Sequence, residues 1–208
     1  VTLGDVAGKG SPAALLMALL LAMLRTLVDE GLEPAELVRR LNVQVMKQAP
    51  STRFITLFLG VFDPRTGDLV FVNAGQNPPL LRRAAGGYER LRDGGVALGM
   101  FDRSTYTAGR TRLQPADVLV MYSDGITEAE DPAGQPFDEQ GLEQVVDTRT
   151  WGSAKELGWA AFEAVERHTQ ERRLLDDLTV LVVRRLHPLP SAPLAQTEHR
   201  RVVLAGGG

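Results

Sequence analysis

Cysteine is absent from the 208 residues. That excludes disulfides and thiolate metal sites, permits a reducing compartment, and makes the cytoplasm the expected location. Histidine occurs only at His168, His187 and His199, and lysine only at Lys9, Lys47 and Lys155. The arginine-for-lysine usage reads as a genomic bias, not as a function. A formal net charge of -3 and a pI near 5.7 leave no electrostatic footing for nucleic acid or an anionic membrane. The longest apolar run, Ala13 to Leu24, is shorter than the ~18–20 residues of a spanning helix, so no membrane span is expected. Internal repeats and a signal-peptide pattern are absent too. The chain opens on Val1, not methionine, as a segment of a longer protein would. Its length suits one well-buried domain with a tail.

What is present is organised around Gly4-Asp5-Val6-Ala7-Gly8-Lys9-Gly10, preceded by Val1-Thr2-Leu3 and followed by a long apolar helix pattern. Val1 to Leu3 reads as the end of a buried strand. The glycines allow a sharp turn, and Ser11-Pro12 predicts a helix start with a capping hydroxyl and a proline at the first helical position. Asp5 is then delivered at a strand end, facing a cleft. A nucleotide-binding P-loop fails on spacing, because the leading glycine stands too close to Gly8-Lys9 and Gly10 sits where Ser or Thr should follow. Lys9, between two glycines, reads as solvated.

Along the chain, residues 12–30 form a helix apolar nearly all round, which predicts burial within the domain ahead of cover by a partner. Pro34 to Lys47 predicts a second helix with Leu37, Val38, Leu41, Val45 and Met46 on one face. Phe54 to Phe62 and Leu69 to Val72 read as a hairpin around an Asp63–Asp68 turn. Asn73-Ala74-Gly75-Gln76-Asn77-Pro78-Pro79 interrupts the sheet, and Leu80 to Arg82 resumes it. A short strand at Tyr88 to Leu91, a loop over Gly94 to Gly99 and an edge strand at Tyr106 to Leu113 follow. Gln114-Pro115-Ala116-Asp117 is a tight turn. Val118 to Tyr122 is continuously apolar, hence buried on both faces, and runs into Ser123-Asp124-Gly125. Helices are predicted at 139–147 and 153–170, and a last strand at Leu178 to Val183, opened by Asp176-Asp177. From His187 onward the chain reads as a loose tail.

Asp5, Asp124 and Asp176/Asp177 are three carboxylate positions tied to apolar strand ends. Gathered at one sheet edge they would repel unless a cation stood between them. All-oxygen ligation selects Mg²⁺ or Mn²⁺ ahead of Zn²⁺. A pair of such ions about 3.5–4 Å apart can share a carboxylate and a bridging water that attacks phosphorus. For one aspartate alone the better reading is a turn former or cap.

The ordered motifs Asp-Val-Ala-Gly-Lys-Gly, Phe-Ile-Thr-Leu-Phe, Asn-Ala-Gly-Gln-Asn-Pro-Pro-Leu-Leu, Tyr-Ser-Asp-Gly-Ile-Thr-Glu-Ala and Asp-Asp-Leu-Thr-Val resemble bacterial metal-dependent serine/threonine phosphatases. The branch they resemble is that of stage II sporulation protein E and the sigma-B regulation phosphatases, within the protein phosphatase 2C-like superfamily. The resemblance covers residues 1 to about 186. It implies an α+β fold, a four-layer αββα sandwich of two antiparallel sheets flanked by helix pairs. By position it implies Asp5 as the carboxylate bridging two Mn²⁺ or Mg²⁺ ions, the Val6 carbonyl as an auxiliary ligand, Asp124 and Asp176 as ligands of one ion, and Asp177 as the neighbour orienting Asp176. The implied substrate is a phosphorylated anti-sigma factor antagonist. The implied partners are an upstream sensor domain and a second copy, through helices 12–30 and 34–47.

The sequence departs from the pattern in places. Gln76 replaces a usual histidine, Asp138 a common glycine, and Ala7 stands where eukaryotic relatives place a histidine proposed as general acid, leaving protonation of the leaving group to metal-bound water. The acidic strand that normally precedes this motif is not in the sequence, which makes a catalytically impaired module that binds phosphorylated regulators the alternative. A metal-dependent nuclease would share the two-ion chemistry but lacks a basic stripe.

Overall fold

A computed structural model describes residues 1–50, 52–148, 151–170 and 176–186. The chain divides into two units. Among the described residues, the first comprises Val1–Pro78 and Leu91–Leu113, the second Pro79–Arg90 and residues 114–186. The expected tail from His187 lies outside the described residues.

In the first unit, β1 (Thr2–Val6), β2 (Ile55–Phe62) and β3 (Asp68–Ala74) form antiparallel neighbours. Asp5 lies opposite Thr56 and Val6 opposite Ile55. Two short strands flank β3: β6 (Gly94–Gly95), parallel to it, and β7 (Gly109–Arg112), antiparallel. The helices α1 (Ser11–Asp29) and α2 (Pro34–Gln48) cover one face. Period-2 alternation sends Ile55, Leu57 and Leu59 into a core with Leu16, Leu20, Leu24, Leu37, Leu41 and Val45. On the opposite face Phe58 and Phe71 are buried and stack at 5.6 Å between ring centroids.

In the second unit the strand order is β5 (Tyr88–Arg90), β4 (Leu80–Arg82), β8 (Val118–Tyr122), β9 (Val180–Arg184), all antiparallel. Every residue of β8 is buried, as its unbroken apolar run predicts. Val118, Val120 and Tyr122 join Leu142, Val146, Leu157, Ala161 and Val165 of α4 (Asp138–Asp147) and α5 (Ala154–Thr169) in one core. One turn of helix, α3 (Asp124–Thr127), follows β8 directly.

Several expectations need correction. Leu80 to Arg82 does not resume the hairpin's sheet; β4 starts the second sheet, because Gly75 to Pro79 carries the chain out of the first. Gly94–Gly95 pairs with β3 where a loop was expected. The Ser11 hydroxyl caps nothing: Gly10 holds the N-cap position at φ 83°, and no side chain caps α1. Nor is α1 buried all round. Ala13, Leu16, Leu20 and Leu24 face the core, while Leu15 is 71% exposed. Over its 19 residues α1 is, by length and composition, apolar enough to cross a membrane. The short unbroken run understated this, since Arg25 is the only charge before Asp29. Its core stripe is nevertheless packed against β2 and α2. Asp138, at the glycine-like position, has φ 54° and accepts the amides of Gln140 and Gly141 on Oδ1, starting α4.

Candidate functional site

The Asp5 turn belongs to the first unit. Asp5 is the penultimate residue of β1 and exposed, and the Val6 amide donates to its Oδ1 at 2.9 Å. The ladder then runs one step beyond the strand, with the Ala7 amide donating to the Phe54 carbonyl at 2.9 Å. Past that point the backbone leaves the sheet at Gly8, φ 98°, a region that favours glycine. Ala7 therefore contributes main-chain bonds and no proton donor. Arg53 folds back over this turn and donates from Nη1 to the Ala7 carbonyl at 3.0 Å.

The second unit brings two of the expected positions together. Asp124 is the first residue of α3, not the last of a strand, and the Gly125 amide donates to its Oδ1 at 2.9 Å. Asp176 and Asp177 lie in the loop ahead of β9, which begins only at Val180. There the Asp177 amide donates to Asp176 Oδ1 at 2.9 Å. Ser123 ties this loop to α3. Its hydroxyl donates to the Asp177 carbonyl at 3.0 Å and accepts the Thr179 amide at 3.0 Å, while its own amide donates to the Thr179 carbonyl. The approach is so close that a Cβ on Gly125 would stand 2.4 Å from the Asp177 carbonyl oxygen. Ser123 and Gly125 thus set the spacing of Asp124 from the Asp176 loop. Reading the sequence for carboxylates passes both over; the Ser-Asp-Gly context was their only local signal.

All three aspartates share one local device, in which the following amide holds Oδ1. This fixes each carboxylate's plane and reduces the ordering cost of ligation. Asp5 and Asp176 are exposed and Asp124 is partly so. Oxygen-only donors, pre-oriented and open to solvent, fit a hard divalent cation. Among the described residues of either unit, no three His, Asp or Glu side chains form a ready metal cage.

Other singled-out residues serve packing. Gln76 is buried; its Oε1 accepts the Asn77 amide, while its Nε2 has no hydrogen-bond partner among the described residues. Asn73 clamps that loop, donating to the carbonyls of Gln76 and Leu91 and accepting the Gln76 amide. His168 Nε2 lies 2.9 Å from the Gln135 carbonyl, its ring edge-on to Phe137. His187 and His199 lie outside the described residues. Behind α3, burial pushes the Tyr122 hydroxyl up to about 12, with the Glu139 carboxylate adding to it, so this tyrosine stays protonated at neutral pH and donates to Glu139.

Two sheets, antiparallel but for the short β6, with their helix pairs make up a protein phosphatase 2C fold. The structure of the PP2C phosphatase domain of SpoIIE from Bacillus subtilis matches with a TM-score of 0.76 at 20% identity, over 88% of this chain and 53% of that one. The chain belongs to the stage II sporulation protein E (SpoIIE) family, whose model matches residues 1–186. Among curated relatives, protein IcfG of Synechocystis sp. is 28% identical over 212 residues, 89% of this chain and 33% of that protein. Phosphoserine phosphatase RsbU of Bacillus subtilis is 26% identical over 186 residues, 89% of this chain and 55% of that protein. The chain therefore spans about a third to a half of these relatives. The catalytic domain of the serine/threonine phosphatase PstP, solved in complex with 2 manganese ions, matches with a TM-score of 0.62 at 18% identity, over 87% of this chain and 85% of that one.

Proposed function

We propose that residues 1–186 are a metal-dependent phosphoserine/phosphothreonine protein phosphatase domain acting on a phosphorylated anti-sigma factor antagonist in bacterial sigma-factor signalling. The observation that carries this reading is the Ser123–Asp177 clamp, which holds Asp124 beside the Asp176 loop across 54 positions of sequence. The phosphoserine phosphatase RsbU as a relative and the manganese in PstP support it. On this reading Asp5, Asp124 and Asp176, with the Val6 carbonyl, hold two Mn²⁺ or Mg²⁺ ions. Bound there, such ions lower the pKa of water and neutralise phosphate charge. Hydrolysis joins a water oxygen to phosphorus, breaks the ester P–O bond and returns a proton to the seryl oxygen. This chain's residues keep the carboxylates fixed: the amides of Val6, Gly125 and Asp177 hold the Oδ1 atoms while phosphate charge approaches. The same reading assigns α1 and α2 to contact with a sensor domain or a second copy, supported by the exposure of Leu15.

The test is turnover of p-nitrophenyl phosphate and of a phosphoserine antagonist protein, with and without Mn²⁺. Asp124→Asn removes one ligand charge, and loss of several kcal/mol of transition-state stabilisation lowers turnover by roughly a thousandfold or more. Unchanged turnover in the folded variant, or full activity in chelator, would overturn the assignment.

A further inference from the structure

The Asp5 turn carries a cation that the carboxylate chemistry does not use. Arg53 sits one residue before Phe54, whose carbonyl closes the last rung of the β1–β2 ladder. Its main chain is fixed, the amide donating to the Pro50 carbonyl at 2.9 Å. The side chain then crosses the turn and comes to rest against Gly8. A Cβ at that glycine would stand 2.6 Å from Nη1, 3.3 Å from Cζ and 3.5 Å from Nη2. The glycine at position 8 therefore does more than permit a positive φ; its missing side chain is the space the guanidinium occupies.

Among the described residues, one of the group's five N–H donors is spent on protein, at the Ala7 carbonyl. Arg53 has no carboxylate partner among the described residues. Arg83, by contrast, divides its fork between Asp117 and Glu89, and Arg90 its own between Glu139 and Glu143. Arginines of that kind brace the fold. Arg53 is half-buried, so its charge is partly desolvated, yet no other described residue takes up its remaining donors. A planar fork in that state matches a phosphate oxygen pair. Its anchor is two residues along the main chain from Asp5.

We propose that Arg53 is the substrate-phosphate reader of this domain, donating through its fork to the non-bridging oxygens of the phosphoryl group. The inference rests on the phosphatase reading above for its substrate class. It adds a binding residue from outside the carboxylate set, and it gives Gly8 a role as the seat of the guanidinium.

The experiment measures inorganic phosphate binding to the Mn²⁺-loaded full chain by calorimetry. Mn²⁺ titration and p-nitrophenyl phosphate kinetics accompany it for wild type, Arg53→Ala and Arg53→Lys. Expected in Arg53→Ala is a tenfold to hundredfold weaker phosphate affinity and a matching rise in KM, with the Mn²⁺ midpoint and melting temperature near wild type. Arg53→Lys recovers part of the affinity, since an ammonium supplies charge without the fork. Unchanged phosphate affinity in Arg53→Ala overturns the inference. So does a parallel loss of Mn²⁺ and phosphate binding that Arg53→Lys fails to relieve, because that is the behaviour of a loop brace. A wild-type chain that binds phosphate through Arg53 but turns over no phosphomonoester would refute the phosphatase reading and leave the phosphate site standing.

Discussion

The helix layers of the two units are built by opposite means. In the second unit α5 is specified by its own ends. Ser153 accepts the Glu156 amide at its N-terminus, Glu156 accepts the Gly152 amide in return, and Arg167 and His168 occupy the last turn. In the first unit α1 has no side-chain cap, no acid in its first turn and no base in its last. Its apolar residues go nearly all the way round, yet only the Ala13, Leu16, Leu20, Leu24 stripe is buried. The contrast teaches that α5 is written locally, whereas the orientation of α1 is decided by the sheet it lands on.

Leu20 and Leu15 give that contrast its sharpest test. Leu20→Ala empties a fully packed position and costs about 2–5 kcal/mol in urea denaturation, while Leu15→Ala, on the exposed face, stays within ~0.5 kcal/mol. Equal losses would show that the outer face of α1 is covered as well. A smaller effect is expected at the other helix layer. Ser153→Ala removes the α5 cap and costs about 0.5–2 kcal/mol in the same measurement. No loss there would mean that α5, like α1, is held by its core stripe alone.

The smallest effect lies on the outer face of α2, where Glu36 bonds Arg39 and then Arg40. Those partners, Arg39 first, hold the Glu36 carboxyl at about 2, below its ordinary 4.5. A depressed folded value means that the stabilisation is fully present above pH 4.5 and fades as pH falls towards 2. The stability difference between wild type and Glu36→Gln should therefore close over that acid window. A difference that persists unchanged at the lowest pH would remove the carboxylate as its cause. Arg39 is exposed and Arg40 half-exposed, so the difference is small throughout.

The placement of Asp5 and Asp124 was readable before the fold, because its signals are local. Asp5 follows a run of strand-forming residues and Asp124 follows Val118 to Tyr122, and the structure puts both at the exits of β1 and β8. What could not be read was the partner of each turn. Nothing in Ser123 announces that its hydroxyl bridges to the Asp177 carbonyl, and nothing in Arg53 announces Gly8. Ser11-Pro12 misled because a hydroxyl before proline looks like a cap, whereas Gly10 takes that position and leaves Ser11 inside the first turn.

The sequence by itself determined the succession of the longer strands and helices, the caps of α5 and the carriage of single aspartates to strand exits, since propensity, periodicity and turn chemistry act over a few residues. Tertiary structure alone decided that the chain changes sheets after Gly75, which stripe of α1 is buried, and that Ser123 clasps a loop 54 residues away. Those outcomes depend on contacts between segments remote in sequence, and no local preference encodes which surface a buried face will meet.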